Sequence, residues 1–137
     1  KTKPVLKVTN RAQILVVDDE PDIVEEIAEA LIDEGFQALC AENVDTALQI
    51  LRSHENIKVV VTDMGMPGKT GANLIGEARA EFKRTIRFIV VSGVVNDLGS
   101  GMENVSVLAK PLDINNLLSA VKAVLLESPS QSSNSQL

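Results

Sequence analysis

Lys58 to Thr62 reads KVVVT, and Arg87 to Val91 reads RFIVV. Apolar runs this continuous are typical of parallel strands that helices cover on both faces, because every side chain is then buried. Residues 14–17, 37–41 and 106–109 form further short runs, and helical patterns alternate with the runs. Such alternation produces right-handed βαβ crossovers. The sequence therefore predicts an α/β fold, a doubly wound, five-stranded parallel sheet with helices on both faces.

Apolar periodicity also places the helices. The first has a broad apolar face that Gly35 is positioned to end, and this face comprises Ile23, Val24, Ile27, Ala28, Leu31 and Ile32. Apolar residues from Val44 to Leu51 indicate a second helix, and a third is predicted at residues 72–82. Asp113 is positioned to cap the last helix.

The chain has 137 residues, the size of one ordinary domain. Residues 1–12 are polar and basic, and residues 127–137 are rich in Ser, Gln and Asn. We interpret both segments as tails or linkers, the second of them disordered, so the folded domain should span residues 13–126. The first residue is Lys1 rather than Met, which is compatible with a piece of a longer protein.

Composition argues against several classes of function. Aromatic residues make up 2% of the chain and the net charge is -6, so nucleic acid is not expected as a direct partner. Cys40 is the single cysteine, which excludes an internal disulfide, and we interpret it as a small core residue of the second strand. No apolar run reaches the roughly 18 residues of a membrane span, so we expect no membrane partner and a cytoplasmic location.

Polar residues follow four of the five predicted strands. Asp18 and Asp19 follow the first, and Asp63, Ser92 and Lys110 follow the third, fourth and fifth. Ligands of such sheets bind outside the carboxyl ends of the strands, where these residues would lie. If the first and third strands are neighbours, three carboxylates converge, which is costly unless a cation lies among them. Ligation by oxygen alone suits Mg²⁺.

A lysine and a hydroxyl facing such a metal would complete a site for a tetrahedral anion, as phosphoryl transfer requires. Each residue alone has a simpler interpretation, since an Asp-Asp-Glu-Pro run commonly opens a helix and a lone Asp after a strand is commonly a loop residue. The coincidence of all these residue types directly after strand ends favours the functional interpretation.

Four stretches also carry a family resemblance. ILVVDDEP, VVVTDMGMPGKTG, FIVVSG and AKP occur in order within residues 13–126. Together they resemble the receiver domains of two-component response regulators. The resemblance implies the flavodoxin-like strand order 2-1-3-4-5. It also implies signalling by phosphorylation, with a histidine kinase or histidine phosphotransfer protein as partner, a fused or separate output domain, and no turnover of a separate substrate.

The same resemblance implies a role for each acidic residue. Asp63 is expected to be the phosphoacceptor. Asp19, Asp63 and the backbone carbonyl of Gly65 are expected to ligate Mg²⁺ directly, and Asp18 through a water molecule.

The resemblance assigns the remaining site residues as well. Lys110 is expected to pair with the phosphoryl oxygens, and Ser92 to donate a hydrogen bond to one of them. Pro67 and Gly71 are expected to shape the loop after the phosphoacceptor, and the Lys110–Pro111 peptide bond is expected to be cis.

Three alternative functions remain. Gly68-Lys69-Thr70 resembles part of a nucleotide-binding loop, but that motif needs glycine where this chain has Asp63. The second is a phosphohydrolase with an aspartate nucleophile. Such enzymes resemble one another in a second acidic residue two positions after the nucleophile, and this chain has Gly65 there. The third alternative is a receiver fold used only as a docking scaffold, which the complete set of acidic, hydroxyl and lysine residues disfavours.

The chain departs from the family pattern between Ser92 and Lys110. Receiver domains often carry an aromatic residue three positions before the lysine, and this chain has Val107. The intervening segment also looks short for the family and contains three glycines, each of which costs a helix about 1 kcal/mol. We therefore expect activation to order or displace residues 93–105.

Overall fold

The alternation of strands and helices is present in the computed structural model, which describes residues 12–66, 68–93 and 104–134, with side chains as far as residue 125. The strands in these residues are β1 (Ile14–Val17), β2 (Ala38–Ala41), β3 (Val59–Asp63), β4 (Arg87–Ser92) and β5 (Val105–Ala109). The helices are α1 (Pro21–Asp33), α2 (Val44–Ser53), α3 (Gly71–Glu81) and α4 (Ile114–Asn134).

All five strands pair in parallel, in the order β2-β1-β3-β4-β5. The predicted fold class and strand order are therefore confirmed. In the register of the sheet, Val17 at the end of β1 pairs with Thr62, and Asp63 pairs with Val91 of β4. The residues that follow β1 and the last residue of β3 consequently lie at the same edge of the sheet.

Alternate residues of the central strands pack on opposite faces, as the pleat requires. Ile14, Val16 and Val61 contact α1 and α4, whereas Leu15 and Val60 contact α2 and α3. Both faces are thus covered by helices, which explains why the runs KVVVT and RFIVV contain so few polar residues.

Helix α1 ends as predicted but buries less of its apolar face. Gly35 has φ +97°, and the amides of Gly35 and Phe36 donate to the carbonyls of Ile32 and Leu31, which is a Schellman ending. Val24, Ile27, Ala28 and Leu31 are buried, but Ile23 is 36% exposed and Ile32 is 52% exposed. The predicted face was too broad because the sheet covers only the central strip of the helix.

Two other differences concern the edges of the domain. Cys40 is exposed rather than part of the core, because β2 is an edge strand. Helix α4 continues to Asn134, so residues 127–134 of the predicted tail are helical. The limits of the folded domain, residues 13–126, remain a prediction.

Some predictions fall on residues that the structure does not describe. Residues 1–11, Pro67, residues 94–103 and residues 135–137 lie outside the described part of the chain, and with them most of the segment predicted to respond to activation. No helix among the described residues combines the length and apolarity needed to cross a membrane.

Two glycines should respond in opposite directions to alanine substitution. Gly35→Ala should destabilise the domain by about 1–2 kcal/mol, because its left-handed backbone disfavours a Cβ atom. Gly76→Ala, in the interior of α3 where an added Cβ meets no atom within 4 Å, should stabilise it by about 0.5–1 kcal/mol. Urea unfolding followed by circular dichroism measures both, since the chain has no Trp or Tyr. Equal shifts in the same direction would contradict this account of α1.

Candidate functional site

A cleft of about 390 Å³ opens at the carboxyl edge of the sheet, between the end of β1, the end of β3 and the segment after β5. Five of the predicted site residues line it, namely Asp18, Asp19, Asp63, Gly65 and Lys110. The sheet register brings these residues together, as expected for a parallel sheet in which β1 and β3 are neighbours.

Asp18 and Asp19 lie in the short connection between β1 and α1. The Asp18 Oδ1 atom accepts a hydrogen bond of 3.0 Å from the Glu20 amide, which fixes the Asp18 side chain next to the helix start. Helix α1 begins at Pro21, a residue that suits the first turn because its missing N–H has no helical partner there. The local sequence therefore turns the chain sharply enough to keep both carboxylates at the end of β1.

Asp63 is the last residue of β3 and is only 6% exposed. One carboxylate oxygen from each of Asp18, Asp19 and Asp63 can be chosen so that all three lie within 4.8 Å of one another. The Gly65 amide donates a 3.1 Å hydrogen bond to Asp63 Oδ2. This bond holds one oxygen of the buried carboxylate and leaves Oδ1 directed elsewhere.

Gly71 determines how closely α3 approaches this carboxylate. A Cβ atom on Gly71 would lie 2.8 Å from the backbone oxygen of Asp63 and 3.2 Å from the Cα atom of Met64. Only glycine permits this approach without a shift of the backbone, which supports the predicted role of Gly71 in shaping the loop.

Lys110 also lines the cleft, where it contacts Asp63. Its ammonium Nζ lies 2.6 Å from Asp63 Oδ1, and the Lys110–Pro111 peptide bond is cis, as predicted. This ion pair engages the buried Oδ1 atom of Asp63, whose other oxygen accepts from the Gly65 amide. The close contact with Asp63 raises the pKa of Lys110, and the negative charges of Asp18 and Glu20 add to this effect.

Ser92 is the one predicted site residue of the described chain that does not line the cleft. It ends β4 and is 7% exposed, and its carbonyl accepts a 3.0 Å hydrogen bond from the Lys110 amide. Ser92 is therefore adjacent to the cleft through its backbone. The roles assigned to it and to the other site residues remain predictions.

Residues 14–122 match the model of the response regulator receiver domain. The chain belongs to this family. The sequence resemblance is thereby confirmed, and the chain is a receiver domain of the kind found in two-component response regulators, a family of signalling domains.

Individual proteins of known sequence or structure are also similar to this chain. A transcriptional regulatory protein CpxR homolog of Haemophilus influenzae is 31% identical over 125 residues, which cover 90% of this chain and 54% of that protein. A 14.6 kDa protein of Leptolyngbya boryana is 34% identical, covering 85% of this chain and 92% of its own length. A solved receiver domain from Methylobacillus flagellatus is 31% identical with a TM-score of 0.72, covering 82% and 98% of the two chains.

Several of these relatives are longer than this chain. The chain spans about half the length of the transcriptional regulatory proteins that it resembles in Haemophilus influenzae, Klebsiella pneumoniae and Pseudomonas aeruginosa. What it shares with them is the receiver domain, and the activity of the whole proteins does not follow from this similarity.

The receiver domain has an electrostatically strained acidic cluster. The pKa of Asp18 is raised to about 6, mainly by partial burial and in addition by the negative charges of Asp63 and Asp19, against the opposite effect of the hydrogen bond from the Glu20 amide. A cation among the three carboxylates would relieve this repulsion. Lys110, which contacts Asp63, supplies one positive charge against these three carboxylates, so the oxygen ligands of the cluster fit such a cation.

The sequence did not indicate the apolar part of the cleft lining. Ile23, Ile27, Pro111 and Leu112 line the cleft together with the carboxylates. Periodicity assigned Ile23 to the core, and nothing in the pattern distinguished it from its buried neighbours. Its exposure follows from the position of α1 over the sheet, which only the structure gives.

Substitution of Asp18 should reveal the cost of the acidic cluster. Because the pKa of Asp18 in the folded protein exceeds its ordinary value of 3.8, the group destabilises the domain above about pH 6 and not below pH 3.8. Asp18→Asn, which keeps the oxygen that accepts from the Glu20 amide, should stabilise the metal-free domain by about 1 kcal/mol at pH 7.5, after allowance for solvent screening.

Urea unfolding in EDTA at pH 7.5 and pH 4 provides the measurement. Most of the gain should be lost at pH 4, and Asp33→Asn, an exposed residue at the end of α1, should show a clearly smaller dependence. A gain for Asp18→Asn that is equal at both pH values would rule out the charge of Asp18 as its cause.

Proposed function

We propose that this receiver domain accepts a phosphoryl group on Asp63 from the phosphohistidine of a histidine kinase or histidine phosphotransfer protein, in a Mg²⁺-dependent reaction. The observation that carries the proposal is the Asp63 carboxylate itself. It is buried at a strand end, it lies within a cluster of two other carboxylates, and an ammonium group contacts it at 2.6 Å. A structural aspartate would not need this arrangement.

The residues around Asp63 would act by orientation and charge. The hydrogen bond from the Gly65 amide holds the orientation of the Asp63 carboxylate in the wall of the cleft. The Lys110 ammonium would exchange its contact with Asp63 for one with the incoming phosphoryl oxygens, whose negative charge it would offset. Phosphoryl transfer depends mainly on such positioning and charge compensation.

A divalent cation would be held by Asp19, Asp63 and the Gly65 carbonyl, with Asp18 acting through water. Oxygen ligands alone, with no His or Cys in the cluster, are the set that Mg²⁺ prefers. When bound, the ion would neutralise charge on the carboxylates and on the phosphoryl group.

Ser92 would act after transfer. It is buried at the end of β4, and its carbonyl is bonded to the Lys110 amide, so a movement of Ser92 toward the phosphoryl group would also affect the β5 end. We propose that this movement starts the conformational change that signals to an output domain or a separate partner. Multiple turnover of a separate substrate is not part of the proposal, and neither is a purely structural scaffold role.

Asp63 should be the single labelled residue. Incubation with Mg²⁺ and a small phosphodonor, followed by borohydride reduction and peptide mass spectrometry, should locate the modification there. Asp63→Ala should abolish labelling because the nucleophile is removed, whereas Asp33→Ala, which removes an exposed carboxylate, should not reduce it. Undiminished labelling of Asp63→Ala would refute the assignment, and turnover of a phosphomonoester well beyond one equivalent would favour a phosphohydrolase instead.

Mg²⁺ binding should distinguish the two carboxylates after β1. Asp19→Asn should weaken binding about tenfold or more, since it removes a direct ligand, and Asp18→Asn should weaken it less. Isothermal titration calorimetry at pH 7.5 measures both. Binding to the parent domain should also weaken as pH falls through about 6, where Asp18 becomes protonated. Equal effects of the two substitutions would contradict the proposed ligand set.

A further inference from the structure

The lining of the cleft combines two chemically different kinds of residue. Asp18, Asp19 and Glu20 are acidic, whereas Ile23, Ile27, Pro111 and Leu112 are apolar. Lys110 is the single cationic residue among the described residues that line the cleft, and its ammonium already contacts Asp63. A molecule that enters the cleft therefore meets both negative charge and apolar surface.

Glu20 contributes charge to this lining without a structural role for its side chain. It occupies the N-cap of α1, but its side chain makes no capping hydrogen bond. Its backbone amide is anchored to Asp18 Oδ1, which keeps the residue beside the cluster. The charge of Glu20 reaches into the site, because it contributes to the raised pKa of Lys110.

Ile23 follows Glu20 by three positions and so lies on the same side of α1. It lines the cleft and is 36% exposed, whereas most apolar residues of this helix are buried. An exposed isoleucine that lines a polar site can contact the leaving group of a phosphodonor. Because this contact removes apolar surface from water, it would favour a leaving group that can pack against the side chain.

We propose that Glu20 and Ile23 determine which phosphodonors react with Asp63, by selecting the leaving group. The negative charge of Glu20 disfavours leaving groups that depart as anions, and the apolar surface of Ile23 favours those with a flat ring that can pack against it. The inference rests on the proposed function of Asp63. It adds two specificity-determining residues that lie outside the set expected to contact the phosphoryl group.

The chemistry of transfer gives the selection its physical basis. An oxygen of the Asp63 carboxylate bonds to phosphorus as the bond from phosphorus to the leaving group breaks. For N-protonated phosphoramidate, the electron pair of the broken P–N bond stays on nitrogen, and ammonia is released. N-phosphoimidazole, protonated on its other ring nitrogen, releases neutral imidazole in the same way. Acetyl phosphate leaves the pair on oxygen and releases acetate, the one anion among these products.

Glu20 is tested with three donors, phosphoramidate, N-phosphoimidazole and acetyl phosphate, at saturating Mg²⁺. The rate of Asp63 phosphorylation is followed by intact-protein mass spectrometry. Glu20→Gln should accelerate acetyl phosphate about threefold, the effect of one partly screened charge, and leave the two nitrogen donors nearly unchanged. The difference should shrink at high ionic strength. Glu29→Gln, nine positions along and thus on the opposite side of α1, is the matched control and should change no rate.

Ile23 is tested with the two nitrogen donors, which differ in the presence of a ring. Ile23→Ala should slow N-phosphoimidazole about fivefold relative to phosphoramidate, because the contact with the ring is lost. Ile32→Ala removes an equally large exposed side chain, again nine positions along the helix, and should leave this ratio unchanged. Circular dichroism checks that each variant is folded, and Glu20→Lys provides a larger charge change in case the effect of glutamine is small.

The outcomes distinguish donor selection by Glu20 and Ile23 from phosphorylation of Asp63 itself. Labelling of Asp63 with donor ratios that none of the Glu20 or Ile23 variants changes would overturn the selection and leave the proposed function intact. Equal acceleration of all three donors by Glu20→Gln would also overturn it, because a general electrostatic effect would then suffice. Failure of every donor to label the parent domain would overturn the proposed function itself.

Discussion

The parallel alignment of β1 with β3 forces three carboxylates to the same point. Asp18 and Asp19 follow β1 directly and Asp63 ends β3, so the register that pairs Val17 with Thr62 leaves them little room to separate. Like charges this close destabilise one another, and the raised pKa of Asp18 reflects that repulsion together with partial burial. The surrounding structure has to compensate for this cost in the absence of a cation.

The compensation comes from elements on every side of the cluster. The Gly65 amide and the Lys110 ammonium contact the two oxygens of Asp63, and the Glu20 amide contacts Asp18. Gly71 allows α3 to start close behind the carboxylate. None of these contacts neutralises the whole cluster, because Lys110 supplies one positive charge against three negative ones. The site is thus stable enough to fold and remains suited to a cation and a phosphoryl group.

The sequence predicted most of this arrangement because its strongest signals are local. The buried strands are continuous apolar runs, and the polar residues that follow them are easily located. Contacts that depend on the relative position of elements were not predictable in the same way. Ile23 and Ile32 have the periodicity of buried residues, and only the placement of α1 over the sheet leaves them exposed. Cys40 is exposed because β2 is an edge strand, and Ser92 lies beside the cleft rather than in its lining.

A crystal structure of the domain with Mg²⁺ and beryllofluoride tests the central claim most directly, because beryllofluoride mimics a phosphoryl group on a carboxylate. The account predicts a beryllofluoride adduct on Asp63, a metal ion among the oxygens of Asp19, Asp63 and Gly65, and the Lys110 ammonium in contact with fluoride. An adduct on another carboxylate, or a metal ion bound outside the Asp18, Asp19 and Asp63 cluster, would contradict it.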